Sequence, residues 1–542
     1  MQIVYLGHAG FVVETEEAVV VADPWVSRHG AFASAWMQLP QNHHLAPLVR
    51  AKLSDPAKQR FVYVSHEHGD HFDREFLASI GRRDFTAVVP RFRRTEMIER
   101  LRATGCNVVA CADGDKVPIP GGYLRLYVQD GGLNRDSGLL VKAGGRTFLD
   151  LNDCKIHDRL GRIAAEEGPV DVFTAQFSGA IWHPTCYEYP PKQYAAVSRR
   201  KMYGKFEAVA RALETVRPRL FLASAGPACF LDPQLLHLNF EELNIFPRAQ
   251  KFFAFLRKRL AQSPNALLEP MPGDVLDVAS GKLTVLASDR LDEDRFEPYL
   301  RSYAARMADL FQGRAAPQAA ELPGILDRLR EELRHKLSRL DLRDRVGVAL
   351  YAWLEELPER MLRIEFPTQR IEEVAALRDE PRYTFKVRAG DVLDVLDRRL
   401  TWEEFFLSFR FRLSRSPDEY DPVLHGFLAL EAGDLPSLCD SIRQVEANRE
   451  RAVIGAGGAR YSVHRCCPHQ GADLTEGWIE GGHLLVCPRH RWQFDLDNRG
   501  RCTLNNSSIC AERVPDNVEP LPSPSRKPTD DPQPAVARNK AS

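Results

Sequence analysis

The sequence predicts an α/β protein in which sheets covered by helices are followed by a mainly helical region and a small all-β domain. Short runs rich in Val, Ile, Tyr and Phe, such as MQIVYL, AVVVAD, RFVYVS and TFLDL, are separated by Gly and Asp, which is typical of strands. Leucines that recur at three- and four-residue steps predict one face of a later helix: Leu326, Leu329, Leu333, Leu337 and Leu340. Strand-like runs such as HLLVCP return after residue 425.

The length argues for several domains, because 542 residues exceed what one hydrophobic core normally organises. Changes of pattern predict an α/β domain at 1–285, a helical region at 286–422 and an all-β domain at 423–515. A proline-rich tail at 516–542 has no packing pattern and is expected to be disordered. Within the helical region, TWEEFFLSFRFRLSRSPDEY at 401–420 predicts a helix whose aromatic side chains pack in the core, with a contact to another domain or subunit as the alternative.

Composition narrows the classes of function. The net charge is −1, whereas nucleic-acid binders usually carry a clear basic excess, so we expect no nucleic-acid partner. No uninterrupted apolar run approaches about 18 residues, so no membrane partner is expected. The opening MQIVYLGHAGFVVETEE predicts a strand and not a signal peptide, which favours a cytoplasmic location. The 11 cysteines are then expected to be thiols, metal ligands or nucleophiles and not a disulfide framework.

The segment RFVYVSHEHGDHFD places His66, His68, Asp70 and His71 directly after an apolar run. Imidazole and carboxylate groups together suit zinc or iron. Alternate residues that leave a strand point the same way, so His66 and His68 can share one ion. The turn that follows can direct Asp70 and His71 at a second ion. A surface histidine cluster is the alternative, but the H-x-H-x-D-H spacing of these ligand types favours a metal site.

A second segment, CCPHQGADLTEGWIEGGHLLVCPRHRW, contains Cys467 and His469 in one loop and Cys487 and His490 in the next. This C-x-H and C-x-x-H pattern resembles a Rieske [2Fe–2S] centre, in which two cysteines hold one iron and two histidines the other. A structural zinc site that uses the same ligand types is the alternative. Arg489 stands where high-potential respiratory Rieske proteins place a cysteine, so the resemblance is to the oxygenase and ferredoxin branch.

The H-x-H-x-D-H motif, together with the opening runs LGHAGFVVE and VVVADPW, resembles the metallo-β-lactamase superfamily. The resemblance implies a metallo-β-lactamase-like αββα sandwich for the first domain. It also implies that Asp23 supports the metal-binding loop and that Asp153, in TFLDLNDC, is the bridging carboxylate.

The chain departs from the hydrolases of that superfamily, which have one histidine before the bridging aspartate and another after a late strand. No histidine occurs between residues 72 and 152, and the late run RLFLASAGPACFLDP also lacks one. Asp130 and Asp136 lie near the first vacancy, Asp232 lies near the second, and His183 is a further candidate. Each of these could instead be an ordinary structural residue. Replacement of imidazole by carboxylate shifts the preference from zinc toward iron or manganese, so we expect a dinuclear non-haem iron site, with zinc as the alternative.

The whole chain resembles the CMP-N-acetylneuraminate hydroxylase family, which combines a Rieske domain with a metallo-β-lactamase-like domain. The segments HAGFVVE, VADPWVS, YVSHEHGDH, FLDLNDC, RPRLFLASAGP and FRFRLSRSPDEY carry this resemblance. The family places the Rieske domain first, whereas here it is last, and DGGLNRDS lacks a histidine that the family has in that segment. By resemblance, the catalytic metal ligands are His66, His68, Asp70, His71 and Asp153, and the cluster ligands are Cys467, His469, Cys487 and His490.

These two centres together predict a Rieske-coupled non-haem iron monooxygenase that hydroxylates a small molecule, with O₂ as co-substrate. The resemblance implies a nucleotide sugar such as CMP-sialic acid. It also implies electrons from a separate reductase through a ferredoxin or cytochrome b5, since no G-x-G-x-x-G cofactor motif is present. Two alternatives remain: a metal-dependent hydrolase with a redox-sensing Rieske domain, and a non-catalytic electron carrier or scaffold.

Overall fold

The structure, a computed structural model, describes residues 1–81, 84–131, 134–261, 266–286, 291, 293–311 and 317–515. The expected disordered tail at 516–542 lies outside the described residues. Among the helices of the described ranges, none combines the length and the apolar character that crossing a bilayer requires.

The first domain is built mainly from strands, with helices between some of them. Its strands are β1 (Gln2–Gly7), β2 (Gly10–Glu14), β3 (Ala18–Ala22), β4 (Gln59–Tyr63), β5 (Thr86–Pro90), β6 (Asn107–Cys111), β7 (Lys116–Ile119), β8 (Gly122–Gly131), β9 (Asn134–Ala143), β10 (Arg146–Asp150), β11 (Val172–Gln176), β12 (Leu220–Ser224), β13 (Ala266–Leu268), β14 (Val275–Asp277) and β15 (Lys282–Thr284). Its α-helices are α1 (Ala46–Leu53), α2 (Arg74–Ala78), α3 (Glu96–Ala103), α4 (Leu160–Glu167), α5 (Pro191–Val216) and α6 (Ala249–Arg259).

These strands form two sheets that pack face to face. One has the order β15-β14-β1-β2-β3-β4-β5-β6 and the other the order β13-β12-β11-β10-β9-β8-β7. Side chains from both sheets share one buried core, in which the rings of Phe11 and Phe148 lie 5.3 Å apart between centroids. A second core packs α1, α2 and α3 on the outside of the first sheet, and a third packs α4, α5 and α6 on the outside of the second. The predicted metallo-β-lactamase-like αββα sandwich is therefore confirmed.

The two loops that carry the predicted metal ligands leave the sandwich at the carboxyl ends of parallel strands. Strand β4 pairs in parallel with β3 and β5, and residues 64–71 follow it directly. Strand β10 pairs in parallel with β11, and residues 151–158 follow it. Loops at the carboxyl ends of parallel strands are the usual place for a ligand site in α/β proteins, so the topology concentrates the motif at one edge.

The middle region contains the expected helices and also a sheet. The helices are α7 (Glu293–Arg306), α8 (Leu322–Ser338), α9 (Ala389–Leu396) and α10 (Trp402–Leu407). The strands are β16 (Ala349–Leu354), β17 (Met361–Glu365), β18 (Arg370–Val374), β19 (Arg382–Val387) and β20 (Phe411–Ser416), in the sheet order β18-β17-β16-β19-β20. The leucine face of α8 is buried as predicted.

The aromatic run at 401–420, predicted as one helix, is instead a short helix and a strand. Helix α10 ends at Leu407, and β20 pairs antiparallel with β19 from Phe411 onward. Burial alternates along β20, with Phe411 and Leu413 buried and Arg412 half-buried between them. An alternation of period two is satisfied by a strand and not by a helix, which is why the segment changes structure.

The C-terminal part begins with two helices, α11 (Pro422–Ala429) and α12 (Leu435–Ala447). The strands that follow are β21 (Arg451–Ala456), β22 (Ala459–His464), β23 (Trp478–Glu480), β24 (Leu484–Val486), β25 (Gln493–Asp495), β26 (Arg501–Cys502) and β27 (Glu512–Val514). They form a small sheet of β21, β22 and β27 and a second of β23, β24, β25 and β26 around one core.

Candidate metal centres

The H-x-H-x-D-H loop folds into a tight turn directly after β4. The backbone N–H groups of His71 and Phe72 both donate to the carbonyl of His68, at 3.0 and 2.7 Å. This turn brings the imidazoles together: His66 Nε2 lies 2.9 Å from His68 Nδ1, and the ring centroids of His66 and His71 are 4.1 Å apart. His66 and His71 are buried. Several imidazoles in buried contact are arranged as ligands of a shared cation would be.

Asp153 joins this cluster from the loop after β10. Its Oδ1 lies 3.9 Å from His71 Nε2, and Asp70 Oδ2 lies 3.7 Å from the same nitrogen. Among the described residues, Asp70 Oδ1, His71 Nε2 and Asp153 Oδ1 are buried without a hydrogen-bond partner. Buried polar atoms normally have a hydrogen-bond partner, so three converging oxygen and nitrogen atoms without one fit the ligands of a metal ion.

Asp23 and Ser65 hold the histidines from behind. Asp23 Oδ2 lies 2.8 Å from His71 Nδ1, and the Ser65 hydroxyl donates to the same carboxylate at 2.6 Å. Burial would lower the pKa of His71, but the carboxylates of Asp70 and Asp23 outweigh it and hold that pKa well above its ordinary value. A carboxylate behind a metal-binding imidazole orients the ring and strengthens it as a ligand.

Of the four candidates for the vacant positions, the structure brings only Asp136 to the cluster. Asp136 is buried, and its Oδ1 lies 3.3 Å from His66 Nδ1. Burial and the neighbouring carboxylate of Asp153 raise the pKa of Asp136 well above its ordinary value.

The other three candidates lie elsewhere. Asp130 accepts a hydrogen bond from the backbone N–H of Arg93 at 2.7 Å. Asp232 forms a buried ion pair with Arg410 at 2.8 Å, which gives it a structural role. His183 contacts the hydroxyl of Tyr189 at 3.0 Å in the wall of a cavity described below.

His8 and Glu403 also contact the cluster, and neither was predicted from the sequence. His8 Nε2 lies 3.1 Å from Asp70 Oδ2, and the backbone N–H of Ala225, just after β12, donates to the carbonyl of His8 at 2.9 Å. His8 thus stands beside the end of the late strand that has no histidine of its own. Its position in the turn between β1 and β2, within LGHAG, was the available signal. Glu403, from α10, lies 3.3 Å from His68 Nε2, and no local motif indicates that contact.

The predicted cluster ligands of the C-terminal domain lie together in two loops. The backbone N–H of Cys467 donates to Ala472 and that of Cys487 donates to Trp492, at 2.9 and 2.8 Å, so each cysteine begins a closed loop. Both thiols are fully buried, and burial together with the neighbouring Cys487 holds the pKa of Cys467 well above its ordinary value.

The two imidazoles of these loops face each other. The ring centroids of His469 and His490 are 4.5 Å apart, and His469 stacks on Trp492 at 4.3 Å. His469 Nδ1 is buried and has no hydrogen-bond partner in the described part of the chain. Two buried thiols beside two half-buried imidazoles provide the donor set of a Rieske [2Fe–2S] cluster.

One cavity of about 850 Å³ connects the two groups of ligands. His66, Asp136 and Asp153 line one part of it, and His469 and His490 line another. Its walls also carry aromatic side chains: Phe32, Trp36, Trp182, Tyr187, Tyr189, Tyr420 and Trp492. A cavity of this size, with both aromatic and charged side chains in its walls, is suited to a small molecule that has apolar and polar parts.

A buried ion pair locks the two ligand-bearing regions against each other. Arg489, between Cys487 and His490, contacts both carboxylate oxygens of Asp158 at 2.7 Å. Asp158 follows Asp153 in the same loop, and its side chain is 4% exposed. The same carboxylate accepts the backbone N–H of Asp473 from the first cluster loop at 3.2 Å. One carboxylate therefore contacts both cluster loops from the loop that carries Asp153.

Comparison with known proteins gives matches over most of the chain. The profile of the Rieske [2Fe-2S] domain matches residues 427–515, which include both cysteine–histidine loops. A protein of Mycobacterium tuberculosis named as a Rieske 2Fe-2S iron-sulfur protein is 30% identical over 528 residues, 93% of this chain and 98% of that protein. The cytidine monophosphate-N-acetylneuraminic acid hydroxylase of Xenopus laevis is 24% identical over 454 residues, 78% of this chain and 70% of that protein.

Among solved structures, CmlA, a diiron β-hydroxylase from Streptomyces venezuelae, matches with a TM-score of 0.33 and 16% identity. The match covers 53% of this chain and 54% of CmlA.

Proposed function

We propose that this chain, which belongs to the family of the mycobacterial Rieske 2Fe-2S iron-sulfur proteins, is a Rieske-coupled non-haem iron monooxygenase. In the proposed reaction a C–H bond of a small molecule and O₂, with two electrons and two protons, give the hydroxylated product and water. The supporting observation is the shared cavity, which is lined by ligands of both centres. A hydrolytic site would gain nothing from a one-electron carrier beside it.

The similarity to the hydroxylase of Xenopus laevis supports the same reaction class. Its name gives cytidine monophosphate-N-acetylneuraminic acid as the molecule it acts on. We therefore include that nucleotide sugar among the substrates proposed for this chain.

The residues present fit both groups. Cys467, Cys487, His469 and His490 would hold the [2Fe–2S] cluster. The first centre would be held by His66, His68, Asp70, His71, Asp136 and Asp153, with His8 beside Asp70 and Glu403 beside His68. When bound, the cluster supplies single electrons and the iron centre supplies the activation of O₂.

Residues of the chain itself orient the metal-binding imidazoles, position the Rieske loops and line the cavity around both centres. Asp23 keeps the His71 ring directed at the site, and Glu403 accepts a hydrogen bond from His68 on the opposite side. The Arg489–Asp158 pair holds the Rieske loops against the loop of Asp153. The aromatic side chains in the cavity wall would reduce the amount of water near a reactive centre, which limits side reactions.

Electrons must arrive from another protein in this proposal, because the sequence has no nicotinamide or flavin motif. We propose a ferredoxin or a cytochrome b5 with its own reductase as the donor. The proposed location is the cytoplasm, where thiols stay reduced.

Metal and sulfide analysis of the purified protein tests the proposal. We expect about four irons and two acid-labile sulfides per chain. The protein, reduced anaerobically and mixed with O₂ and cytidine monophosphate-N-acetylneuraminic acid, should consume O₂ in proportion to the electrons supplied. Zinc in the first centre, with O₂-independent turnover of an ester or phosphodiester, would instead establish the hydrolase.

A further inference from the structure

The wall of the cavity between the two centres carries a cluster of four cations: Lys155, Lys201, Lys205 and Arg491. They come from three separate parts of the fold. Lys155 lies in the loop of Asp153, Lys201 and Lys205 lie one turn apart on α5, and Arg491 follows His490 in a Rieske loop. Because these positions are far apart in the sequence, the fold brings the cations together at the cavity, and they are not simply neighbours in a basic segment.

The packing of α5 against the Rieske loop makes this arrangement possible. Gly204 lies on α5 between the two lysines, and a Cβ at this position would meet Arg491 Cδ at 3.1 Å. The small residue lets the arginine side chain cross the helix surface closely. Arg491 Nη1 is buried and has no hydrogen-bond partner among the described residues. A buried guanidinium nitrogen without an acceptor is costly unless a ligand supplies one.

None of the four cations forms an ion pair with a carboxylate in the described ranges. Lys201 Nζ donates to the carbonyl of His183 at 3.0 Å, and Lys205 Nζ donates to the side chain of Gln176. Both acceptors are neutral. Burial and the nearby Arg491 lower the pKa of Lys201 to about 7, which reflects the missing negative charge.

The two carboxylates that act on this cluster of cations are also proposed ligands of the first centre. Asp136 and Asp153 act on Lys205 electrostatically, but both lie among the ligands of the first centre. An anionic group on a molecule in the cavity would offset the burial that lowers the pKa of Lys201 and of Lys205. Charge-assisted hydrogen bonds from lysine and arginine to phosphate or carboxylate oxygens are among the strongest in proteins.

We propose that Lys155, Lys201, Lys205 and Arg491 form the anion subsite of the substrate, and that the substrate carries a phosphate or carboxylate group there. The inference rests on the proposed function, because it identifies the occupant of the cavity as the molecule that is oxidised. The anion would lie beside Arg491 and Lys155, so the rest of the molecule extends along the aromatic wall between the two centres.

Calorimetric titration of the oxidised holoprotein with inorganic phosphate, and separately with malonate, tests the subsite. We expect at least one of the two to bind, and Lys201→Gln to weaken that binding tenfold or more. Which probe binds distinguishes a phosphate from a carboxylate substrate. Arg199→Ala is the matched control, because Arg199 is an exposed cation on the same helix that does not line the cavity.

Lys155→Gln is a second variant in case the first perturbs folding, and the visible spectrum of the Rieske cluster reports integrity for both. Absence of binding by both probes, or equal affinity in wild type and both variants, would overturn the subsite. The titration needs neither O₂ nor reductant, so the subsite can fail while reductant-dependent O₂ consumption persists. The converse failure would leave anion binding intact and overturn only the proposed function.

Discussion

The two metal centres of this chain are assembled in opposite ways. The proposed Rieske ligands lie between Cys467 and His490, in two loops of one small domain. The first centre draws His8 from the start of the chain, Asp136 from β9 and Glu403 from the middle region, in addition to its own motif. A local site can be recognised in a short segment, whereas a dispersed site becomes visible only when the fold has brought its parts together.

The difference predicts that each centre can be emptied without the other. Cys487→Ser removes one of two thiolates from the cluster, and we expect loss of the cluster and of reductant-driven turnover. The first centre should keep its iron, because Cys487 makes no contact with it. Acid-labile sulfide, electron paramagnetic resonance and iron content measure the outcome.

Cys510→Ser is the matched control, since Cys510 is exposed in the same domain. Loss of metal from both centres in the Cys487 variant would show that the sites are not independent.

His8→Gln addresses the dispersed centre in the converse way. Replacing an imidazole 3.1 Å from Asp70 should lower the metal affinity of the first centre about 10–100-fold, the usual cost of a lost ligand partner. The Rieske signal should be unchanged. Competition with a chelator, followed by metal analysis, gives the affinity.

His44→Gln provides the control, because His44 is exposed and remote from the cluster. Unchanged metal affinity in the His8 variant would show that His8 is not part of the first centre and does not replace the histidine that hydrolases of the superfamily have after a late strand.

Asp158→Asn weakens the connection between the centres and spares the ligands of both. It should slow reoxidation of the reduced cluster by O₂ about tenfold and leave the cluster spectrum intact, because the pair positions the loops and does not bind iron. We also expect a loss of stability of about 3 kcal/mol, since one buried charge loses its partner. Stopped-flow absorbance and urea unfolding measure the two effects.

Glu446→Gln, which removes the exposed ion pair with Arg345, should cost less than about 1 kcal/mol and leave reoxidation unchanged. A reoxidation rate equal to wild type in the Asp158 variant would limit the pair to structural support.

The smallest expected effect concerns acid stability at Glu403. Burial would raise the pKa of Glu403, but hydrogen bonding to His68 and the charge of Arg135 lower it from 4.5 to about 2. The folded state therefore binds fewer protons than the unfolded state between these values, and the contribution of Glu403 is lost as pH falls from 4.5 toward 2. Urea midpoints across this range should fall less steeply in Glu403→Gln than in wild type.

Glu359→Gln, at an exposed position of the middle region, should retain the wild-type slope. Identical slopes in wild type and the Glu403 variant would contradict this role.

Much of the architecture could be predicted because it depends on local patterns. The strand runs, the leucine face of α8 and both ligand motifs each depend on residues that lie close together in the sequence. The strand β20 was missed because its aromatic residues continue those of α10 without a Gly or Pro between them, although burial alternates in period two.

The choice between Asp130 and Asp136 shows what the sequence could not provide. Strands β8 and β9 pair with Asp130 opposite Arg135 and Gln129 opposite Asp136, so the two aspartates lie on opposite faces of the sheet. A shift of the register by one residue would pair Asp130 with Asp136 and place both on one face, so the choice between them depends on a register that the sequence alone does not give. The contacts of His8 and Glu403 depend on tertiary packing in the same way.

The Asp158–Arg489 pair has a consequence for how such proteins are put together. Asp158 of the first domain contacts both cluster loops of the Rieske domain. The packing of the two domains therefore depends on residues at their interface and not on the peptide that links them. Gene rearrangement could exchange the order of the halves and still preserve the working assembly. A carboxylate five residues after the proposed bridging aspartate and an arginine inside the C-x-x-H pair can then be used to select domains from different proteins that should pack together when fused.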